Sequence, residues 1–144
     1  SLYQAIRGVA ALPTIERGVA KLRRLAPDVA ITARATVHRM NYLELPRLIE
    51  HAKAMALDGI SFLPADVSTS AFGRERASGG RHLALGPAQV RELHDIVEEI
   101  IATRGDDFTS GFVQESPDKL RRLPQYYAAL AGSQPKHGPA IDTR

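Results

Sequence analysis

Residues 29–41 carry the pattern that most constrains this fold: Ile31, Ala33, Ala35 and Val37 alternate with Thr32, Arg34, Thr36 and His38. Successive side chains of a strand point to opposite faces, so the run reads as a strand with one apolar and one polar face. A helical segment over 43–57 follows, and then a second strand-like run over 59–66. Strand, helix and strand in that order predict a crossover and a parallel pair with helices on the apolar side. The polar set then faces the interior of a barrel or the top of a sheet, where α/β folds of this kind keep their chemistry.

With 144 residues and 44% hydrophobic content, the chain suits one domain with its own core. A formal charge of +3, with basic residues spread over several helices, gives no nucleic-acid footprint. The sequence contains no cysteine, so a disulfide framework, a thiolate metal site and an iron–sulfur ligand within these residues are excluded. No apolar run reaches the roughly 18 residues that span a bilayer, and the first residues do not read as a signal peptide. No membrane association is expected, and a cytoplasmic setting is. The opening Ser1-Leu2-Tyr3 begins in mid-pattern, as in a piece of a longer protein.

Further along, Ile15, Val19, Leu22 and Leu25 recur at helical spacing after Pro13, until Pro27-Asp28 ends the element. Asn41 and Glu44 stand three apart, as in a capping box, ahead of Leu45, Leu48, Ile49, Ala52 and Met55. Pro46 is discordant in that helix unless the regular turns start later. Residues 67–86 read as a long loop rich in Ser, Gly and Arg, and 87–103 as a helix burying Val90, Leu93, Val97 and Ile100 or Ile101. Residues 108–114 suggest a short strand. Ser116-Pro117 opens a last helix with Leu120, Leu123, Tyr127 and Leu130 on one side, and Gly132 closes it. Residues 133–144 read as a loose tail.

Several runs resemble a known family in order and spacing: Tyr3 to Val9, Thr14 to Val19, Thr36-Val37-His38-Arg39-Met40-Asn41, Gly59-Ile60-Ser61-Phe62-Leu63 and Gln125 to Gly132. Together they are similar to the C-terminal half of the radical S-adenosylmethionine barrel, in members that carry a SPASM or related auxiliary-cluster extension. The resemblance covers residues 3–132. It implies a partial (β/α) barrel of the TIM-barrel-like type, with 1–132 as a single incomplete domain holding the fifth and sixth strands. It further implies an oxidoreductase that modifies a peptide or small molecule, using S-adenosylmethionine and a [4Fe-4S] cluster in the parent protein. Its partners would be the remainder of the barrel and an electron donor. The family's three cluster cysteines and the auxiliary cysteines are absent from this chain, so these residues alone are expected to be inactive.

The resemblance makes Arg34, Thr36 and Leu63 cofactor-facing, with Leu63 against the adenine. Arg34 offers several donors to a carboxylate or ribose oxygens, or else pairs with an acid across the barrel. Thr32, His38 and Asp66 are candidates for the substrate cavity, the last two at the C-terminal strand ends. Asn41 reads chiefly as the N-cap of the following helix. Asp66, Ser68, Thr69 and Ser70 form a polar rim without metal-ligand spacing. Arg74, Arg76, Arg81 and His82 make the long loop basic, and Ser78-Gly79-Gly80 lacks the P-loop pattern. A rival reading from a different class is a non-catalytic half-barrel, a binding or scaffold module that recognises an anionic ligand through Arg34 and the basic loop.

Overall fold

The alternation at 29–41 becomes a ladder only over its central six residues, because a strand needs a partner along its whole length and the second run supplies six. The computed structural model describes residues 12–67 and 81–133. Their elements, in order, are α1 (Leu12–Leu25), β1 (Thr32–Val37), a 3-10 turn (Tyr42–Glu44), α2 (Leu45–Ala54) and β2 (Gly59–Pro64). A second 3-10 turn (Arg81–Leu83), α3 (Pro87–Thr103), the short α4 (Gly105–Thr109) and α5 (Pro117–Ser133) follow. The chain is α/β, with a parallel sheet and helices against it.

β1 pairs with β2 in parallel, Thr32 opposite Gly59, Arg34 opposite Ser61 and Thr36 opposite Leu63. Paired residues of a parallel ladder share a face, so Ala33, Ala35, Val37, Ile60 and Phe62 lie on one side and the polar set on the other. On the far side of β2 a single parallel bridge joins Ile60 to Val113. There the Ile60 N–H donates to the Phe112 carbonyl at 2.8 Å, and the Gln114 N–H to the Ile60 carbonyl at 3.0 Å. β2 is therefore central, while the outer edge of β1 has no strand beside it among the described residues.

Among the described residues the helical core packs on the apolar face. Val37, Ile60, Phe62 and Val113 meet Leu45, Ile49 and Ala52 of α2, Leu93, Val97 and Ile100 of α3, and Leu120, Leu123 and Tyr127 of α5. Those triplets recur three or four residues apart, which places each set on one helical stripe. Each fully buried aliphatic contributes roughly 1.5–3 kcal/mol. α1 buries no residue, and its C-terminal end is held by polar contacts instead. The Arg23 guanidinium donates to the carbonyls of Ala56 and Val29, both at 2.9 Å, and to the Asp58 carboxylate at 2.6 Å.

The regular turns start at Leu45, later than the 43–57 segment and as Pro46 requires: the proline falls in the first turn of α2, where its missing N–H has no partner to lose. Two sequence expectations are corrected at this level. Asn41 and Glu44 form no capping box: Glu44 is the N-cap of α2 and makes no side-chain capping bond. Phe108 lies in α4, whose first turn carries Asp106 and Asp107 at the favourable end of the helix dipole. Gly111, at φ +78°, then turns the chain back, and the strand expected at 108–114 shrinks to the Val113 bridge. Of the expected 133–144 tail, Ser133 is the last residue of α5, and residues 134–144, like residues 1–11, lie outside the described residues.

Two backbone positions around the α2–β2 junction should respond to substitution in opposite directions. Ala56 sits at φ 57°, where α2 ends in a Schellman motif with the Leu57 N–H on the Ala52 carbonyl and the Ala56 N–H on the Lys53 carbonyl. Ala56→Gly should stabilise by about 0.5–1 kcal/mol, since glycine removes the left-handed penalty. Gly59 faces the incoming 112–114 segment so closely that an added Cβ would stand 3.0 Å from the Phe112 carbonyl oxygen and 3.2 Å from the Gln114 amide nitrogen. Gly59→Ala should cost about 1–3 kcal/mol. Urea unfolding of both variants checks this, and equal signs would contradict it.

Candidate functional site at the open face and strand exits

The polar face of the pair is open. Thr32, Arg34 and Thr36 are exposed along β1, with Ser61 buried beside Arg34 and Leu63 half-buried beside Thr36. Arg34 makes no hydrogen bond or ion pair among the described residues, although its charge acts on Glu115. The fold thus brings together four predicted residues, Thr32, Arg34, Thr36 and Leu63, as one row-and-column array of donors and an apolar patch. This follows directly from the period of two and the six-residue register.

The strand exits are fixed by one buried hydroxyl. Tyr127 of α5, fully enclosed, donates to the Val37 carbonyl at 2.5 Å and accepts from the Ala65 N–H at 3.0 Å. The same Ala65 N–H also reaches the Val37 carbonyl at 3.1 Å. Removal from water pushes the phenol up to about 12, so it remains a neutral donor throughout the physiological range.

His38 departs from the expected pattern. Alternation places it with Arg34 on the open face, but β1 has ended at Val37 and the chain turns inward, leaving His38 5% exposed. Its Nδ1 accepts the Met40 N–H at 3.1 Å, and its own N–H donates to Asn41 Oδ1 at 2.8 Å. The Asn41 amide nitrogen in turn donates to the Thr36 carbonyl at 2.8 Å. Asn41 therefore does not cap a helix; it ties the exit of β1 to the turn that follows, taking over hydrogen bonds that the ladder no longer supplies. Burial, with His82 adding a smaller effect, holds the His38 imidazole below its usual range.

Asp66 is exposed just beyond β2. Ser68, Thr69, Ser70, Arg74, Arg76 and the Ser78-Gly79-Gly80 turn lie outside the described residues. Among the described residues no group of three or more His, Cys, Asp or Glu side chains could hold a metal ion. An open groove of about 460 Å³ runs between α3 and α5, lined by Val90, His94, Glu98, Arg121 and Pro124. It shares no residue with the open sheet face; the Arg121–Glu98 ion pair at 2.7 Å spans it, and Arg91 and Asp95 line it as well.

Glu115 is the site residue that the sequence pattern did not flag. Beyond Gln114 the main chain leaves the ladder, and Glu115 Oε1 replaces it by accepting the Phe62 N–H at 3.0 Å. Its Oε2 is buried without a hydrogen-bond partner. Burial raises the carboxyl above the usual range, opposed by the Phe62 bond and by the charges of Arg34 and Lys119. The available signal was its place at the C-terminal end of a third strand-like run, directly ahead of Ser116-Pro117.

Comparison with protein-family models, curated proteins and solved structures gave no match.

The Glu115 geometry carries a pH prediction. A carboxyl raised in the folded state keeps a proton that the unfolded chain has released, so stability falls as pH rises from about 4.5 through the folded value. Glu115→Gln keeps an oxygen for the Phe62 N–H and removes this titration. The variant should gain on the parent as pH is raised from 4 to 8, read as the difference between their urea midpoints. A difference that is constant, or that moves against glutamine, would contradict the assignment.

Proposed function

We propose that this chain is part of an iron–sulfur, S-adenosylmethionine-dependent radical enzyme of the oxidoreductase type, one that modifies a peptide or small molecule. In this reading β1 and β2 are the fifth and sixth strands of a (β/α) barrel, and their open face lines the cofactor and substrate cavity. The observation that carries it is the exposed Arg34 between Thr32 and Thr36, without a hydrogen bond or ion pair among the described residues, on a strand whose other face is packed against helices. An unengaged guanidinium on a sheet face is a ready donor array for a ligand carboxylate or ribose. The free outer edge of β1 suits a preceding strand of the same barrel.

The residues present fit one of the two implied groups. Arg34 and Thr36 supply hydrogen-bond donors, and Leu63 supplies an apolar contact for a purine, so this face suits S-adenosylmethionine. When bound, that cofactor supplies the sulfonium whose one-electron cleavage begins radical chemistry. The [4Fe-4S] cluster does not fit here, because the sequence has no cysteine; its ligands belong to other residues of the parent protein. The remainder of the barrel and an electron donor are then the partners. Thr32 and Asp66 are substrate-cavity candidates, whereas His38 acts from beneath the strand exit.

The test uses the parent enzyme with iron content matched between variants. Arg34→Ala should weaken binding of S-adenosylmethionine or substrate by about 1.5–3 kcal/mol, the range for a hydrogen bond to a charged group. Arg39→Ala is the control, since Arg39 lies beyond the strand and its charge acts on Tyr42. Calorimetric titration and the rate of cofactor cleavage report the two effects. A folded Arg34→Ala enzyme that binds and turns over like the parent would remove Arg34 from the cavity.

A further inference from the structure

We infer that His38 is a proton-operated latch, which holds the turn after β1, and with it the docked 3-10 turn at Arg81–Leu83, closed when its imidazole is neutral and releases it when the ring is protonated. The inference concerns the described residues alone and does not rest on the cofactor reading above.

The geometry fixes the protonation state that the turn requires. A backbone N–H can only donate, so the Met40 N–H at 3.1 Å makes Nδ1 the bare nitrogen of the ring. In the neutral imidazole the proton is then on Nε2, and the approach of Nε2 to the Asn41 amide nitrogen at 3.4 Å is a contact between two donors, not a bond. Protonating Nδ1 would set its new N–H against the Met40 N–H. The ring cannot turn out into water to escape, because it is 5% exposed.

What the ring holds is a joint between two parts of the chain. Met40 and Arg39 belong to the same turn, and the Arg39 N–H donates to the Leu83 carbonyl at 2.8 Å. That bond fastens the segment following Arg81 to the exit of β1. Loss of the Met40 bond frees the turn that presents the Arg39 N–H. Among the described residues the other titratable group acting on the ring is His82, on the docked turn itself, and a positive charge there opposes a second on His38. Arg39 directs its charge at Tyr42, which is bonded to Glu92 of α3. Burial and His82 both favour the neutral ring, so the closed state persists to pH values below the ordinary histidine range and acidification must do work to open it.

The bond has a non-titrating equivalent. An asparagine at position 38 can accept the N–H two residues on through Oδ1, as in an Asx turn, without gaining a proton in this range. Amide hydrogen exchange of the whole chain, corrected for intrinsic rates, should be followed at Arg39 and Met40 at pH 7.5 and pH 5. In the parent, protection of both amides should fall about tenfold at pH 5, the scale of one lost hydrogen bond. His38→Asn should stay protected at both values, and His38→Ala unprotected at both. Equal protection of the parent at the two pH values would overturn the latch, as would a His38→Asn variant that loses protection on acidification like the parent. If His38→Ala fails to fold, the comparison of parent with His38→Asn decides alone.

Discussion

A single phenolic hydroxyl holds the working end of this sheet together. Two parallel strands have no hairpin to fix their relative position, and their ladder ends at Val37 and Pro64. Just beyond it, in an enclosed space, the Ala65 N–H and the Val37 carbonyl meet at 3.1 Å, and each has room for a second partner. Tyr127 serves both, with an O–H donated to one and a lone pair offered to the other. It does so from the helix whose Leu120 and Leu123 also enter the core, so packing of α5 and registration of the strand exits are one event. Directly before this point the register pairs Thr36 with Leu63, and directly after it comes the His38–Asn41 turn.

The third position of the sheet is held from outside the core. Val113 reaches β2 from a loop anchored on Asp107, whose carbonyl accepts the Val113 N–H at 3.0 Å. The Asp107 carboxylate, largely buried, pairs with Lys53 of α2 at 2.8 Å and lies near Arg104, which also binds Glu50. Isolated surface pairs contribute under about 1 kcal/mol, but here several charges share one corner and join α2 to the start of α4. Packing therefore covers one face of the sheet, ion pairs fix its far edge, and among the described residues the opposite face is left open, with Arg34 in no hydrogen bond or ion pair. Exposed polar side chains on a rigid two-strand platform are positioned for a ligand at little further ordering cost.

Much of this was legible in the chain. The period of two over Ile31 to His38 gave the two faces, and the helical triplets around Ile49, Val97 and Leu123 gave the core, because burial pattern and backbone geometry coincide wherever a segment is regular. The reading failed where the chain leaves regular structure. His38 was assigned by alternation to a strand that had already ended, and Asn41 to a helix cap when its side chain serves the strand behind it. Glu115 substitutes for a backbone carbonyl, a role set by where a third segment departs from β2 and invisible to local pattern. Tyr127 looked like one more apolar position of an amphipathic helix; nothing nearby in sequence marks the two distant backbone groups that it bridges.

The account turns on that hydroxyl, and its ionisation gives the most direct measurement. With the phenol at about 12 in the folded chain and near 10 when unfolded, its contribution is complete below pH 10 and is lost as pH rises toward 12. Chemical unfolding of the parent and of Tyr127→Phe between pH 8 and 12 isolates it, because the other tyrosines and the lysines are common to both. The parent should be more stable by about 1 kcal/mol at pH 8. That advantage should shrink from pH 10 and vanish or reverse by pH 12, a swing on the order of 2 kcal/mol. A stability difference that stays constant across the range would show that Tyr127 is only a packed ring and that the strand exits are held by something else.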